Sequence, residues 1–166
     1  PKFIFGLTNQ LNYRGFDLGL TITGSYGNQI LAHYENWLTN LDGPFNVLQE
    51  VKNRWKSPTD PGDGKYGSVL QGTTYLERDR WSTRYIKDGS FLSFKNITLG
   101  YTVPLKVKTI RSLRVYSSIQ NAWVITKYPG NPEVNTRNVS SGSSPGVDEG
   151  SYPVPRTISF GVNLGF

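Results

Sequence analysis

The side chains that could make or break covalent bonds are few and badly placed for it. His33 is the only histidine and cysteine is absent, so nothing points to a histidine-rich metal site, a thiolate site or a disulfide framework. Glu77 and Asp79, inside Tyr75-Leu-Glu-Arg-Asp-Arg-Trp81, are two acids at a spacing that an acid–base pair could use. They alternate with Arg78 and Arg80, which reads instead as surface ion pairing. Asp60 and Asp63 flank Gly62 and could offer oxygens to calcium, but they lack the acid spacing and closing glutamate of an EF-hand loop. The stretch Ser57 to Gly67 therefore reads as an irregular turn. No Gly-x-Ser-x-Gly elbow and no phosphate-cradling glycine loop with its lysine occurs. An enzyme is not expected, nor a metal, nor a cofactor. Recognition is what remains. Tyr34, Trp37, Trp55, Tyr66, Tyr75, Trp81 and Tyr85 gather between Gly27 and Ser90, where aromatic rings could cover the C–H faces of a sugar or peptide or meet a lid. A loop of that length also needs a small core of its own, and the same residues would serve it.

Totals narrow the classes. With 166 residues, 36% hydrophobic content and a mean hydropathy of −0.43, the chain contains no apolar run of the eighteen or so residues that a membrane helix needs. The net charge of +6 comes from 18 Lys and Arg scattered among 12 acids, not from the basic block or face that a nucleic-acid footprint requires. The chain opens at Pro1 within a strand-like run, with no charged-then-apolar leader before it, as a piece of a longer chain would.

The elements that must position any site are strands. In the last eleven residues Ile158, Phe160, Val162, Leu164 and Phe166 alternate without error against Thr157, Ser159, Gly161, Asn163 and Gly165. A period of two puts the two sets on opposite faces of a strand. Similar alternation predicts strands at about 2–13, 16–26, 91–103, 113–126 and 156–166. Arg14-Gly15 reads as a tight turn between the first two. A slip at Lys95-Asn96 in the third is what a β-bulge would produce, one extra residue returning the apolar side to its face. Strands of about eleven to fourteen residues exceed the five or six usual in soluble sheets and suffice to cross a bilayer when tilted. Two connections are short and two long, about 27–90 and 127–155, and in an antiparallel meander both long ones leave from the same side. Outer-membrane barrels show that asymmetry. The fold class is therefore all-β: five antiparallel transmembrane strands of a larger barrel, with long extracellular loops. Within the first long loop, Val47, Leu48, Val51 and Trp55 predict a short amphipathic helix over 46–57. The second loop is poor in apolar residues and is expected to be mobile or ordered by a partner. A soluble all-β carbohydrate-binding module, with the loop aromatics as its platform, is the rival reading. A small complete porin fails on strand count unless copies assemble.

Four stretches taken in order resemble the carboxyl-terminal end of the SusC/RagA class of TonB-dependent outer-membrane transporters: Pro1 to Asn28, Asp88 to Pro104, Ser112 to Val134 and Gly150 to Phe166. The resemblance implies a barrel of about twenty-two strands of which these are the last five. It implies a plug, a TonB-contacting segment and most of the barrel outside this chain. It implies a SusD-like surface lipoprotein that caps the barrel, and import of glycans, oligosaccharides or peptides. Ile158, Phe160, Val162, Leu164 and Phe166 would then face outer-membrane lipid and carry the signal read by the barrel-assembly machinery. Leu18, Leu20, Leu99, Tyr101, Val115 and Trp123 would face lipid with them. Asp17, Thr21, Thr98, Arg114, Tyr116, Gln120 and Asn163 would face the lumen. Nucleic acid is not an expected partner.

Overall fold

In the computed structural model, residues 1–41, 46–69, 82–105, 109–138 and 142–166 are described. Tyr75 and Trp81, with the Glu77–Asp79 pair, lie outside them. The chain forms two compact units.

The first unit is a sheet of five antiparallel strands, β1 (Phe3–Tyr13), β2 (Phe16–Tyr26), β5 (Phe91–Val103), β6 (Ser112–Thr126) and β10 (Thr157–Gly165), in the order β1-β2-β5-β6-β10. β1 and β2 are joined through Arg14 and Gly15, both at positive φ, 48° and 88°. Two left-handed residues in a two-residue connection make the type I′ turn, whose twist matches that of the strands it joins. β1 and β10 are the sheet's edges and each pairs with one neighbour.

Register across the sheet explains a sequence irregularity and reveals a second one. Thr21, Asn96 and Gln120 stand opposite one another, and so do Ile22, Phe94 and Trp123. Between those two rows β2 inserts nothing, β5 inserts Lys95, and β6 inserts Asn121 and Ala122, with Asn121 at φ 50°. The slip at Lys95 is thus a true bulge. The wider one at Asn121 left no trace in the alternation, because two extra residues preserve a period of two. The Asn121 side-chain amide donates to the Pro155 carbonyl at 3.1 Å, which occupies the polar group that the interruption exposes.

The second unit comprises Gln29–Lys87 and Glu133–Ser151. Within it the parallel pair β3 (Gln29–Ala32) and β9 (Val147–Asp148) is joined to β4 (Ile86–Asp88) in one small sheet, beside the hairpin of β7 (Asn135–Asn138) and β8 (Gly142–Pro145). Its core is Ile30, Ala32, Val51, Tyr85 and Val134, all buried. One expectation is corrected here. The stretch 46–57 contains only a 3₁₀ turn, Gln49–Asn53, because Leu48 and Arg54 are extended on either side and the Trp55 amide bonds to the Tyr66 carbonyl at 2.9 Å. Val51 alone of its apolar set is buried, while Leu48 and Trp55 remain exposed. Among the described residues the α-helix is α1, Tyr34–Thr39. In the second long loop backbone pairing forms β7, β8 and β9.

Candidate functional site: an apolar and a polar face

The five-stranded sheet presents two chemically different surfaces, and the register defines both. On one, Leu20, Ile97, Ile119 and Ile158 form a row that ends on β1 at Asn9. Leu11, Leu18, Leu99 and Phe160 flank it with Ser117 in their row. Tyr13, Phe16, Tyr101, Val115 and Val162 form the next row toward the short turns. In the other direction come Leu7, Ile22, Phe94 and Trp123, then Phe5, Leu92 and Ile125, then Phe3 and Tyr26. Leu164 and Phe166 extend the same alternation. This face is bare: Phe160 is 82% exposed, Phe166 75% and Trp123 66%. A water-soluble monomer rarely leaves a contiguous apolar surface of this kind open.

Aromatic rings collect at its two ends. Near the long connections Phe3 stacks on Tyr26 at 5.4 Å between ring centres. Near the short turns Phe16 meets Tyr101 at 4.5 Å, and Arg14 lies over the Tyr13 ring. From Phe3 to Tyr13 the strand rises about 33 Å. At the usual barrel tilt that is a band about 25 Å tall between two girdles.

The opposite face carries mainly small and polar side chains, with Ile4, Phe91 and Val124 on it near the long connections. Gln10, Gly19, Thr98, Ser118 and Ser159 form one row, and Thr8, Thr21, Asn96, Gln120 and Thr157 the next. Toward the short turns the row Asn12, Asp17, Gly100, Tyr116 and Gly161 uses glycine to make room for long side chains lying flat. Arg114, one row further with Thr102 and Asn163, reaches across β5 and grips Asp17 with two hydrogen bonds, Nε to Oδ1 at 2.9 Å and Nη2 to Oδ2 at 2.5 Å. A methyl at Gly100 would fall on the Arg114 guanidinium and both Asp17 oxygens. Tyr116 lies across Gly161 in the same manner, with the Arg114 guanidinium 4.9 Å from its ring centre. Forked, planar pairing of this kind fixes geometry as well as charge. Alternation alone groups Asp17, Arg114 and Tyr116 on one face but does not mark the interleaved glycines as seats. The signal was available, since Gly100 and Gly161 fall in the polar phase of their strands.

Among the described residues the loop aromatics do not converge on one platform. In the second unit Trp37 is 47% exposed and Trp55 39% exposed, and Tyr34 begins α1 half-buried. Tyr85 is 1% exposed, so its assignment to a contact surface is corrected: its ring belongs to the small core, which leaves no face for a solute. Arg84 binds there, 4.8 Å from the Tyr85 ring centre and 5.2 Å from that of Tyr66, with Nη1 donating to the Lys65 carbonyl at 2.9 Å. Lys87 pairs with Glu35 at 2.9 Å and His33 Nδ1 lies 2.7 Å from a Glu149 oxygen. Asp60 is paired with Lys56, whose hydrogen bond holds its carboxyl below the usual range, and Asp63 accepts from the Lys65 amide at 2.9 Å. Both acids thus close turns.

Burial pushes the Tyr66 hydroxyl up to about 12, helped by its hydrogen bond to the Glu50 carboxylate. A proton held more tightly in the folded state than in the unfolded one gives stability that is complete below pH 10 and drains away between pH 10 and about 12. Ultraviolet difference titration should show one tyrosine ionising near 12, and Tyr66→Phe should remove that step and the associated alkaline loss of stability.

No protein-family model matches the chain. It is 34% identical to TonB-dependent receptor P3 of Formosa agariphila, an alignment that takes in all of this chain and 16% of the receptor. It is 30% identical to TonB-dependent receptor SusC of Bacteroides thetaiotaomicron, over 98% of this chain and 15% of that protein. Among solved structures, the RagAB peptide importer in its closed-closed state superposes with a TM-score of 0.73 at 23% identity, covering 98% of this chain and 17% of the other. The two-faced sheet and these relatives together place the chain in the class of TonB-dependent receptors. Within that class it is homologous along its whole length to the SusC/RagA family, and it spans about one sixth of the curated relatives it matches.

Proposed function

We propose that this chain is the carboxyl-terminal, five-stranded stretch of wall in the β-barrel of a SusC/RagA-type transporter of a Gram-negative outer membrane. The whole receptor imports glycans or peptides. A SusD-like lipoprotein covers it, and TonB drives it through a part of the receptor beyond this chain. The observation that carries the reading is the apolar band of about 25 Å between two aromatic girdles, backed by a polar face. Unpaired sheet edges at β1 and β10 support it further, since an edge in hydrocarbon must be closed by another strand. Within this arrangement Ile158, Phe160, Val162, Leu164 and Phe166 meet lipid, the segments 27–90 and 127–155 lie outside the cell, and Trp37 and Trp55 are offered to lid or solute.

This segment contributes no cysteine, so single cysteines placed in it give a direct topology test in a receptor whose other cysteines, wherever present, have been replaced. Cysteine at the exposed Thr59 should react with a membrane-impermeant maleimide on intact cells. Cysteine at the exposed Thr109, in the β5–β6 connection, should react only after the outer membrane is opened. Equal labelling of both on intact cells, or protection of both, would defeat the reading.

A further inference from the structure

We infer that the two long connections work as one moving part, held together by a clasp in which His33 bridges to Glu149. Both partners lie in the second unit, so the clasp goes beyond the wall reading and stands without it. Neither connection completes that unit alone. The first supplies Ile30, Ala32, Val51 and Tyr85 to its core, and the second supplies Val134. The small sheet likewise takes β3 and β4 from the first and β9 from the second. Yet β9 contributes only Val147 and Asp148, matched to Leu31 and Ala32, with the Leu31 amide donating to the Gly146 carbonyl at 2.8 Å. Parallel pairing that short is weak by itself. A further bond has to lock the two connections in register.

His33 and Glu149 stand one residue past the last paired positions, Ala32 and Asp148, and are 116 residues apart in sequence. Nδ1 of the buried His33 lies 2.7 Å from Glu149 Oε2. An ionised carboxylate can only accept, so Nδ1 holds the proton and donates it. Each end of the bond is fixed by its own connection. His33 sits where β3 turns into α1, its amide donating to the Leu31 carbonyl at 2.9 Å and its carbonyl accepting from the Asn36 amide at 3.1 Å. The buried Asp148 accepts from the Gly150 amide at 3.0 Å and the Ser151 amide at 2.8 Å, which turns the chain directly after β9 and holds Glu149 at the bend. A hydrogen bond between two points so fixed passes a displacement of one connection to the other through a contiguous physical link.

Amide hydrogen exchange of the complete receptor in detergent, followed by mass spectrometry, tests the clasp, because local opening sets the exchange rate. Glu149→Ala, a change in the second connection, should speed exchange in the first, over residues 29–33, by about fivefold, the net worth of one ordinary hydrogen bond. His33→Ala should speed exchange over residues 146–151 by a similar factor. The double variant should exchange no faster than the faster single one, since both changes break the same bond. Lys56→Ala removes an ion pair to Asp60 that lies within one turn of the first connection, and it should leave both segments unchanged. The clasp is overturned if each variant speeds exchange only in its own connection, or if the two effects multiply to about twenty-five-fold in the double variant. Should His33→Ala strip protection from the whole second unit, Glu149→Ala, which alters a half-exposed carboxylate, decides between these outcomes. A receptor that fails to form a barrel would count against the wall reading, whereas exchange confined to one connection in a folded barrel refutes the clasp alone.

Discussion

A lysine placed at Leu20 in the assembled receptor is expected to destabilise it by about 2–4 kcal/mol, the cost of a charge on the lipid face near the bilayer midplane. Leu20 belongs to the row with Ile97, Ile119 and Ile158, midway between the two aromatic girdles. The same lysine at Leu164, near the short-turn end, should cost only about 0–1 kcal/mol, because the penalty falls off toward the interface. At Thr21 or Asn163, each one residue away on the same strand and on the polar face, it should be nearly neutral. Chemical denaturation of the barrel in lipid vesicles gives these values as shifts in midpoint at constant slope. A flat profile, with Leu20, Leu164 and Thr21 alike, would mean that neither face meets hydrocarbon.

Arg114→Met is expected to lower the stability of the sheet measurably, because it removes both hydrogen bonds to the Asp17 carboxylate. It leaves Asp17, only 20% exposed, without its forked partner. Gly100→Ala should cost a similar amount for a different reason: its methyl occupies the space through which the guanidinium and carboxylate meet. The two effects should not add. With Arg114→Met already present the pair is gone and only the released Asp17 carboxylate has to move aside for a methyl at Gly100, so the double variant should lie close to the worse single one. That coupling is the signature of one shared interaction. Strict additivity would show that glycine is needed at position 100 for its backbone and not as a seat for the pair.

How far the sequence foretold these features depends on what each one needs. Alternation such as Ile158 to Phe166 is written in neighbouring residues, so the β class and the division into an apolar and a polar face are legible directly. The bulge at Lys95 is legible because one extra residue breaks the parity of β5. The interruption at Asn121 is not, because two extra residues restore it. The pair of Asp17 and Arg114 unites strands separated by a long stretch of chain, and only the register of β2 on β5 and β5 on β6 brings them together over Gly100. In the second unit the apolar spacing of Val47, Leu48, Val51 and Trp55 suggested a helix, but a backbone bond from Trp55 to Tyr66 decided the local conformation. Tyr85 illustrates the same limit: an aromatic in a long loop reads alike whether it faces solvent or fills a core.

The closure of Arg114 upon Asp17 also governs what this stretch contributes at a distance. From Thr8 to Asn12 on β1, and across the rows to Thr157 and Asn163 on β10, they are the only charged members of the polar face, and each cancels the other. Within those rows the surface offers hydroxyls, amides and one phenol and projects almost no electrostatic potential, a neutral patch bordered by charge only where the loops begin.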